Sequence, residues 1–285
     1  MSLNVDLSQR LTVLLDLEKG CLAVEGEGTT VRGIRRTLTE MKDVLYDEHL
    51  ETRDSDIAYY VFRKVASIQD LPLFGRLGLR YDLTVLPPGN WGDEYPKTFG
   101  HVHQQAPRCP SEAFEVARGE AHFLIQNIVK KSEVEIIEAS EGEKLMIPRD
   151  CLHLVINPTD QLLVTSNLVR DAAAPNYEYA RRMRGAACYE LQGRRFVNNT
   201  NYREKYHLTF SDVNSWKWSG EVTLRSQQSI YDLLIEKPDL LSFLTEPTLT
   251  SCRSREDVSR RFSENQKELN PWNETHSRSL KKNTA

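Results

Sequence analysis

A series of short apolar segments, rich in β-branched and aromatic residues, lies between residues 57 and 170 and limits the folds that this chain can adopt. Turn-forming clusters such as PPGNWGD, SEGE and NPTDQ separate them. Short strands at close spacing favour an antiparallel sandwich or small barrel over alternating strand–helix units. The sequence therefore predicts an all-β domain. Its strand candidates after IAYYVFRKV (57–65) are YDLTVL (81–86), EAFEVARG (112–119), AHFLIQNIV (121–129), EVEIIEA (133–139), EKLMIP (143–148), CLHLVIN (151–157) and QLLVTSNLV (161–169).

Charge and cysteine content exclude several classes of function. The 285-residue chain has a formal net charge of −4 and a sequence pI of about 6.0, which predicts neither nucleic acid nor a membrane as a partner. Its five cysteines are scattered and form no C-x-x-C pair, which favours reduced thiols over a disulfide framework. The apolar run LTVLL (11–15) is too short for a signal peptide or a membrane span. We therefore expect a cytoplasmic protein.

Changes in composition divide the chain into three regions. We predict an N-terminal arm over 1–56, a β domain over 57–190 and a C-terminal extension over 191–285. Within the arm, RRTLTEMKDVLYDEHL (35–50) places apolar residues near helical spacing after a capping-type stretch over 37–40, which predicts a short helix.

The C-terminal extension is more polar than the β domain. Its segment SIYDLLIEKPDLLSFLTEP (229–247) predicts two short helical pieces that are separated at Pro238, because proline interrupts a helix. The polar residues after position 250 predict a tail that is partly disordered. We therefore expect the extension to be partly helical and to pack partly on the β domain.

Two histidines one residue apart, His101 and His103, carry the first chemical signal. Because side chains alternate along a strand, both imidazoles would point to one face, about 7 Å apart. Pairing of the next strand beside this one would bring the carboxylate of Glu112 close, and His153 offers a third imidazole from a later strand. Each residue alone is typical of an ordinary polar position. Together they form a nitrogen and oxygen donor set suited to Fe²⁺, Mn²⁺, Ni²⁺, Co²⁺ or Zn²⁺.

The joint pattern resembles the two motifs of the cupin family, G-x5-H-x-H-x3–4-E-x6-G and G-x5-P-x-G-x2-H-x3-N. The resemblance implies a cupin (jelly-roll) β-barrel. Tyr95 stands in place of the first glycine, and Asp150, which tolerates turn conformations, replaces the glycine before the last histidine. The residues QQAPRCPS (104–111) lengthen the first motif and are interpreted as a widened hairpin loop. The matching positions are His101, His103, Glu112, Gly119, Gly142, Pro148, His153 and Asn157.

A longer stretch narrows the resemblance. PPGNWGDEYPKTFGHVH (87–103) is similar to the signature P-G-x-x-G-x-E-Y-x-x-T-x-G-H-x-H of the cupin-type glucose-6-phosphate isomerases of archaea and some bacteria. The similarity extends over about residues 30–190 and leaves both ends of the chain uncovered. The matching residues of the signature are Pro88, Gly89, Gly92, Glu94, Tyr95, Thr98, Gly100, His101 and His103.

The resemblance implies an enzyme that interconverts glucose 6-phosphate and fructose 6-phosphate with a divalent metal ion. Fe²⁺ is the first expectation, with Mn²⁺, Ni²⁺ or Zn²⁺ as alternatives. The base for proton transfer between C1 and C2 would be Glu112, and a metal-assisted hydride shift is the competing route. The metal ligands would be His101, His103, Glu112 and His153. The residues that bind the phosphorylated sugar would be Thr84, Thr98, Gly100 and Tyr177.

Three positions depart from the pattern of this family. Phe114 and Val169 stand where the family has tyrosine, and Pro175 stands where it has histidine. These changes remove polar groups near the sugar and leave alternatives open: a sugar-phosphate isomerase of different specificity, an Fe²⁺ dioxygenase, or a non-catalytic sugar-phosphate-binding protein. Cupins with an N-terminal arm commonly exchange it or pack sheet to sheet, which predicts a homodimer.

Other polar residues carry weaker signals. His122 alternates with Phe123 and Ile125 and is interpreted as a solvated neighbour on the outer face of its strand. Cys151 is expected to be a buried thiol, with a place in the pocket wall as the alternative. Glu94 and its neighbour either close the mouth of the pocket or shape the loop that leads to the histidines.

Overall fold

The computed structural model describes residues 2–103, 112–129, 133–148, 150–203, 206–216 and 227–245. The segment QQAPRCPS and the polar tail after position 250, for which the sequence makes predictions, lie outside these residues. Within the described part of the chain, no helix is long and apolar enough to cross a membrane.

The first residues form an antiparallel sheet, here the N-terminal sheet, with its strands in sequence order. Its second strand alternates cleanly, since Val13 and Leu15 are fully buried and Leu14 is exposed. The arm expected from the sequence is thus mainly a small sheet. Its strands are β1 (Ser2–Asp6), β2 (Thr12–Asp16), β3 (Cys21–Val24) and β4 (Thr30–Arg32).

A large antiparallel sheet follows. Its strands are β5 (Ile34–Thr37), β6 (Ile57–Phe62), β7 (Leu79–Leu86), β9 (Glu112–Arg118), β12 (Lys144–Ile147) and β14 (Leu163–Arg170). They lie in the order β12–β9–β14–β7–β6–β5. The small sheet contains β10 (Glu120–Asn127), β11 (Glu133–Ser140), β13 (Cys151–Ile156) and β18 (His207–Asp212), in the order β13–β10–β11–β18. Every apolar segment predicted between residues 81 and 169 overlaps one of these strands, which confirms the all-β class.

The remaining elements are short. Two antiparallel pairs join β8 (Val102–His103) to β15 (Pro175–Asn176) and β16 (Cys188–Leu191) to β17 (Arg195–Asn198). The predicted boundary at residue 190 falls within β16. The α-helices are α1 (Leu71–Leu77), α2 (Glu178–Met183) and α3 (Ile230–Glu236), and 3₁₀ helices span Thr39–Val44 and Pro238–Leu244.

Both predicted helical regions are present. At the first, the N–H of Thr37 donates to the Glu40 carboxylate at 2.8 Å and the N–H of Glu40 donates to the Thr37 hydroxyl at 3.3 Å, the reciprocal bonds of a capping box. At the second, the Ser229 hydroxyl accepts from the N–H of Asp232 at 3.0 Å. The helix that starts there ends before Pro238, as the position of the proline predicts.

Strand β7 shows why the site lies where it does. Its odd-numbered residues Tyr81, Leu83 and Val85 are fully buried against the N-terminal sheet and α3. Its residues Arg80, Asp82 and Thr84 face the opposite side and line a pocket. Burying each large apolar side chain contributes roughly 1.5–3 kcal/mol. The outer face of the large sheet therefore supplies the stabilisation, and polar residues can occupy its inner face.

Candidate metal centre

A pocket opens between the inner faces of the large and small sheets, beside the segment that carries the H-x-H pair. Strands of both sheets contribute to its wall, as does the stretch from Thr98 to His103. Its lining residues are Tyr59, Val61, Arg63, Arg80, Asp82, Thr84, Thr98, Phe99, Gly100, His101, His103, Glu112, Phe114, His153, Val155, Asn167, Pro175 and Tyr177.

The four predicted metal ligands meet in this pocket. One ligand atom from each of His101, His103, Glu112 and His153 can be chosen so that all lie within 4.8 Å of one another. The backbones of His101 and His153 exchange two N–H···O bonds of 3.1 Å, which explains how residues so distant in sequence meet. Nε2 of His103 lies 2.7 Å from Oε2 of Glu112, and Nε2 of His153 lies 3.2 Å from the same oxygen.

The electrostatics of the site suit a ligand set. Burial, followed by the neighbouring imidazoles of His153 and His103, holds the pKa of His101 well below its usual value. Burial alone would raise the pKa of Glu112, but the charge and hydrogen bond of His103, together with His153, hold that pKa well below its usual value. At neutral pH the site therefore offers a neutral His101 and an ionised Glu112, the forms that bind a metal ion.

The donor set fits a divalent cation on its own chemistry. Nδ1 of His153 lies 3.4 Å from the Cys151 carbonyl, which can only accept, so the free lone pair of the ring is on Nε2. Within the described residues this buried Nε2 has no hydrogen-bond partner. It lies 3.2 Å from Oε2 of Glu112, so one cation can reach both atoms. Imidazole with carboxylate is a set that Fe²⁺, Mn²⁺, Ni²⁺ and Zn²⁺ accept.

The predicted substrate-binding residues Thr84, Thr98, Gly100 and Tyr177 all line the same pocket. The Thr98 hydroxyl accepts from the N–H of Val155 at 3.0 Å, which fixes its position. Gly100 has φ of +82°, a conformation that an L side chain rarely adopts. The ring of Tyr177 stands edge-on to Phe99, with 5.4 Å between ring centroids. Their roles in substrate binding remain predictions.

Sequence reasoning missed several charged and polar residues of the pocket. Arg63, Arg80, Asp82 and Asn167 all line it, and the Asn167 amide donates to Oε1 of Glu112. The available signal was strand alternation. Asp82 is two residues before Thr84, and a strand that puts one of them on the pocket face also puts the other there.

The other positions singled out in the sequence fall in different places. Phe114 and Pro175 line the pocket, whereas Val169 is buried outside the lining. Cys151 is buried and also outside the lining, as expected of a buried thiol. Glu94 is buried in an ion pair with Lys97 and accepts from the N–H of Tyr46, so it shapes the loop.

The prediction that His122 is solvated is wrong. Its side chain is buried, and Nδ1 lies 2.9 Å from both carboxylate oxygens of Glu190. Glu190 belongs to β16, so the pair β16–β17 covers this part of the outer face of the small sheet. Alternation correctly placed His122 on that face, but it carried no information about a layer that comes from much later in the chain.

Fold and site together define the class: an all-β protein in which three histidines and one glutamate form a candidate metal site between two sheets, as the cupin motifs predict. The family model of glucose-6-phosphate isomerase (GPI) matches residues 35–207. The chain therefore belongs to the glucose-6-phosphate isomerase family, a family of aldose–ketose isomerases, and the family predicted from the sequence is confirmed.

Two relatives and one solved structure are described by their similarity to this chain. Glucose-6-phosphate isomerase of Thermococcus litoralis is 27% identical over 165 residues, which cover 58% of this chain and 80% of the relative. The enzyme of the same name from Pyrococcus horikoshii is 28% identical over 155 residues, which cover 53% and 74%. Among solved structures, oxalate oxidase in complex with the substrate analogue glycolate aligns with a TM-score of 0.34 and 14% identity, over 43% of this chain and 57% of that chain.

Proposed function

We propose that this chain is a metal-dependent glucose-6-phosphate isomerase that interconverts glucose 6-phosphate and fructose 6-phosphate. The observation that carries the proposal is the meeting of His101, His103, Glu112 and His153 in a pocket that also contains the predicted phosphate contacts. Membership of the family supports the substrate. Fe²⁺ is the proposed ion, with Mn²⁺, Ni²⁺ and Zn²⁺ as alternatives that suit the same donors.

In this proposal Glu112 moves the proton. A carboxylate whose pKa lies well below its usual value is ionised at neutral pH. It can accept the proton from C2 of open-chain glucose 6-phosphate and return it to C1, while the hydroxyl proton passes from O2 to O1 so that the aldehyde becomes a ketone. Asn167 and His103 hold its two oxygens, so the carboxylate is fixed in orientation. A divalent ion, when bound, supplies positive charge for the oxygens at C1 and C2. The hydroxyls of Thr84 and Thr98 bind the phosphate.

Isomerisation in D₂O separates proton transfer from a hydride shift. Proton transfer through Glu112 exchanges the migrating hydrogen with solvent, so we expect deuterium in the product at C1 or C2. A hydride shift moves the hydrogen directly and leaves the product free of deuterium. Mass spectrometry of the sugar phosphate gives the answer, and a product without deuterium would remove Glu112 from the role of base.

The experiment that tests the function is a coupled assay that converts fructose 6-phosphate to glucose 6-phosphate. We expect turnover that is lost with a chelator and restored by added Fe²⁺, Mn²⁺, Ni²⁺ or Zn²⁺. Absence of turnover with every one of these metals would remove the isomerase proposal. If turnover is absent but calorimetry shows that the sugar phosphate binds, the chain is a non-catalytic sugar-phosphate-binding protein.

Two further properties belong to this proposal. We propose a homodimer, supported by the N-terminal sheet that precedes the β domain, and light scattering tests it because a monomeric mass contradicts it. We also propose a cytoplasmic location, supported by the free thiols of Cys21, Cys151 and Cys188. Fractionation of the source cells tests the location.

A further inference from the structure

The wall of the pocket carries two arginines, Arg63 and Arg80, that belong neither to the metal ligands nor to the predicted phosphate contacts. Their surroundings differ. Arg80 is buried, with Nε donating to Asp82 at 2.7 Å and Nη1 donating to the carbonyls of Arg170 and Asp171 at 2.9 and 2.7 Å. Its charge and most of its donors are therefore already used inside the protein.

Arg63 is differently placed. Its side chain is 36% exposed, and its nearest acidic neighbour, Asp82, lies 4.0 Å away, beyond hydrogen-bond distance. Asp82 is held instead by Arg80 and by the N–H of Lys64, which donates at 3.0 Å. Within the described part of the chain, Arg63 is thus a cation on the pocket wall whose guanidinium donates no hydrogen bond.

The register of the large sheet places Arg63 near a predicted phosphate contact. Val61 pairs with Thr84 across β6 and β7, and both line the pocket. Arg63 directly follows β6 and also lines the pocket, diagonal to Thr84 if the register is continued, a relation in which Cβ atoms lie about 7–8 Å apart. Because the arginine side chain is long and the threonine side chain is short, a guanidinium and a hydroxyl at this spacing can both reach one phosphoryl group with hydrogen bonds of about 2.8 Å.

We infer that Arg63 is a specificity-determining residue that binds the substrate's phosphate group together with Thr84; the inference rests on the proposed function. The hydroxyls of Thr84 and Thr98 orient a phosphate but carry no charge, whereas the guanidinium supplies a positive charge and paired donors. Asp82 keeps Arg63 on the pocket side without consuming its donors, because Arg80 and Lys64 already fix that carboxylate.

The test is calorimetric titration of the metal-loaded protein with inorganic phosphate and with glucose 6-phosphate. Loss of a charged hydrogen bond predicts that Arg63→Gln weakens the affinity for both at least about tenfold, and that KM rises by a similar factor with little change in kcat. Arg63→Lys keeps the charge and should recover part of the affinity. Arg35→Gln is the matched control, because Arg35 is exposed on β5 and does not line the pocket.

Thr84→Val adds a second readout. If both residues bind one phosphate, the double variant Arg63→Gln with Thr84→Val loses less affinity than the product of the single losses predicts. Wild-type affinity for phosphate in Arg63→Gln would overturn the inference and leave the proposed function standing. Failure of the wild-type protein to bind either ligand would overturn both.

Discussion

Glu112 and Glu115 lie on opposite faces of β9 and are both almost completely buried, with 4% and 6% of the residue exposed. On the inner face, Glu112 meets imidazoles and an amide, and its pKa is well below its usual value. On the outer face, Glu115 accepts from the N–H of Ile230 at 2.7 Å and lies 3.4 Å from Nζ of Lys144. Burial outweighs these contacts and raises the pKa of Glu115 to about 7.

The different surroundings of Glu112 and Glu115 show what distinguishes a candidate site from a buried polar contact. Burial favours the neutral form of both carboxyl groups. Only the inner face adds three imidazoles and the Asn167 donor around one carboxylate, next to an open pocket. On the outer face, the first residue of α3, Ile230, covers the carboxylate of Glu115 and donates its N–H to it. A buried ionisable group becomes a candidate ligand through the number of its partners and its access to a pocket.

The different roles of the two carboxylates can be tested by neutralising each of them in turn. We expect Glu112→Gln to lower kcat by about 10²–10⁴-fold, because the general base is lost and a metal ligand with it. Glu115→Gln should change kcat less than about threefold, since its side chain does not line the pocket. Steady-state kinetics with the purified variants give both values. Equal losses in the two variants would show that the inner face has no special role.

A second variant tests the metal set without touching a carboxylate. His153→Ala removes an imidazole whose Nε2 lies 3.2 Å from Glu112, and we expect metal affinity to fall by about a hundredfold or more. His122→Gln is the control, because it removes an imidazole that is also buried and bonded to a glutamate, but outside the pocket. Metal content by mass spectrometry is the measurement, and a wild-type content in His153→Ala would contradict the predicted set.

The sequence was most informative where periodicity and motif acted together. Strand alternation placed His101 and His103 on one face, and the cupin motif, with six residues between Glu112 and Gly119, identified the carboxylate. The sequence was least informative about which elements pack on the outer faces of the sheets. What covers an outer face depends on elements distant in sequence, so the burial of His122 under β16 and the sheet formed by β1–β4 did not follow from local pattern. Arg63 was missed because its place in the pocket wall depends on the pairing of β6 with β7.

The outer carboxylate should set part of the pH dependence of stability. The pKa of Glu115 is about 7 in the folded state, whereas its usual value is 4.5. Between these two pH values the folded state therefore keeps a proton that the unfolded state has released. This contribution is present below pH 4.5 and is lost as pH rises through 7. Its size is on the order of 3 kcal/mol. Chemical denaturation between pH 5 and pH 8 should show a fall in stability that Glu115→Gln removes, and an unchanged fall would assign the slope to another group.

The inner face should make stability depend on pH with the opposite sign. This dependence can be measured in the Glu115→Gln variant after removal of metal. The pKa of His101 is lowered in the folded state, so below about 6.5 the unfolded state takes up a proton that the folded state does not. Stability should therefore fall as pH decreases from 7 to 5, and adding His101→Gln should flatten that change. Bound metal holds the imidazole unprotonated and should stabilise the protein more at pH 7 than at pH 5. Burial favours the neutral form of both groups, which lowers the pKa of a histidine and raises that of a glutamate, so a slope of the same sign from both faces would contradict the lowered pKa of His101.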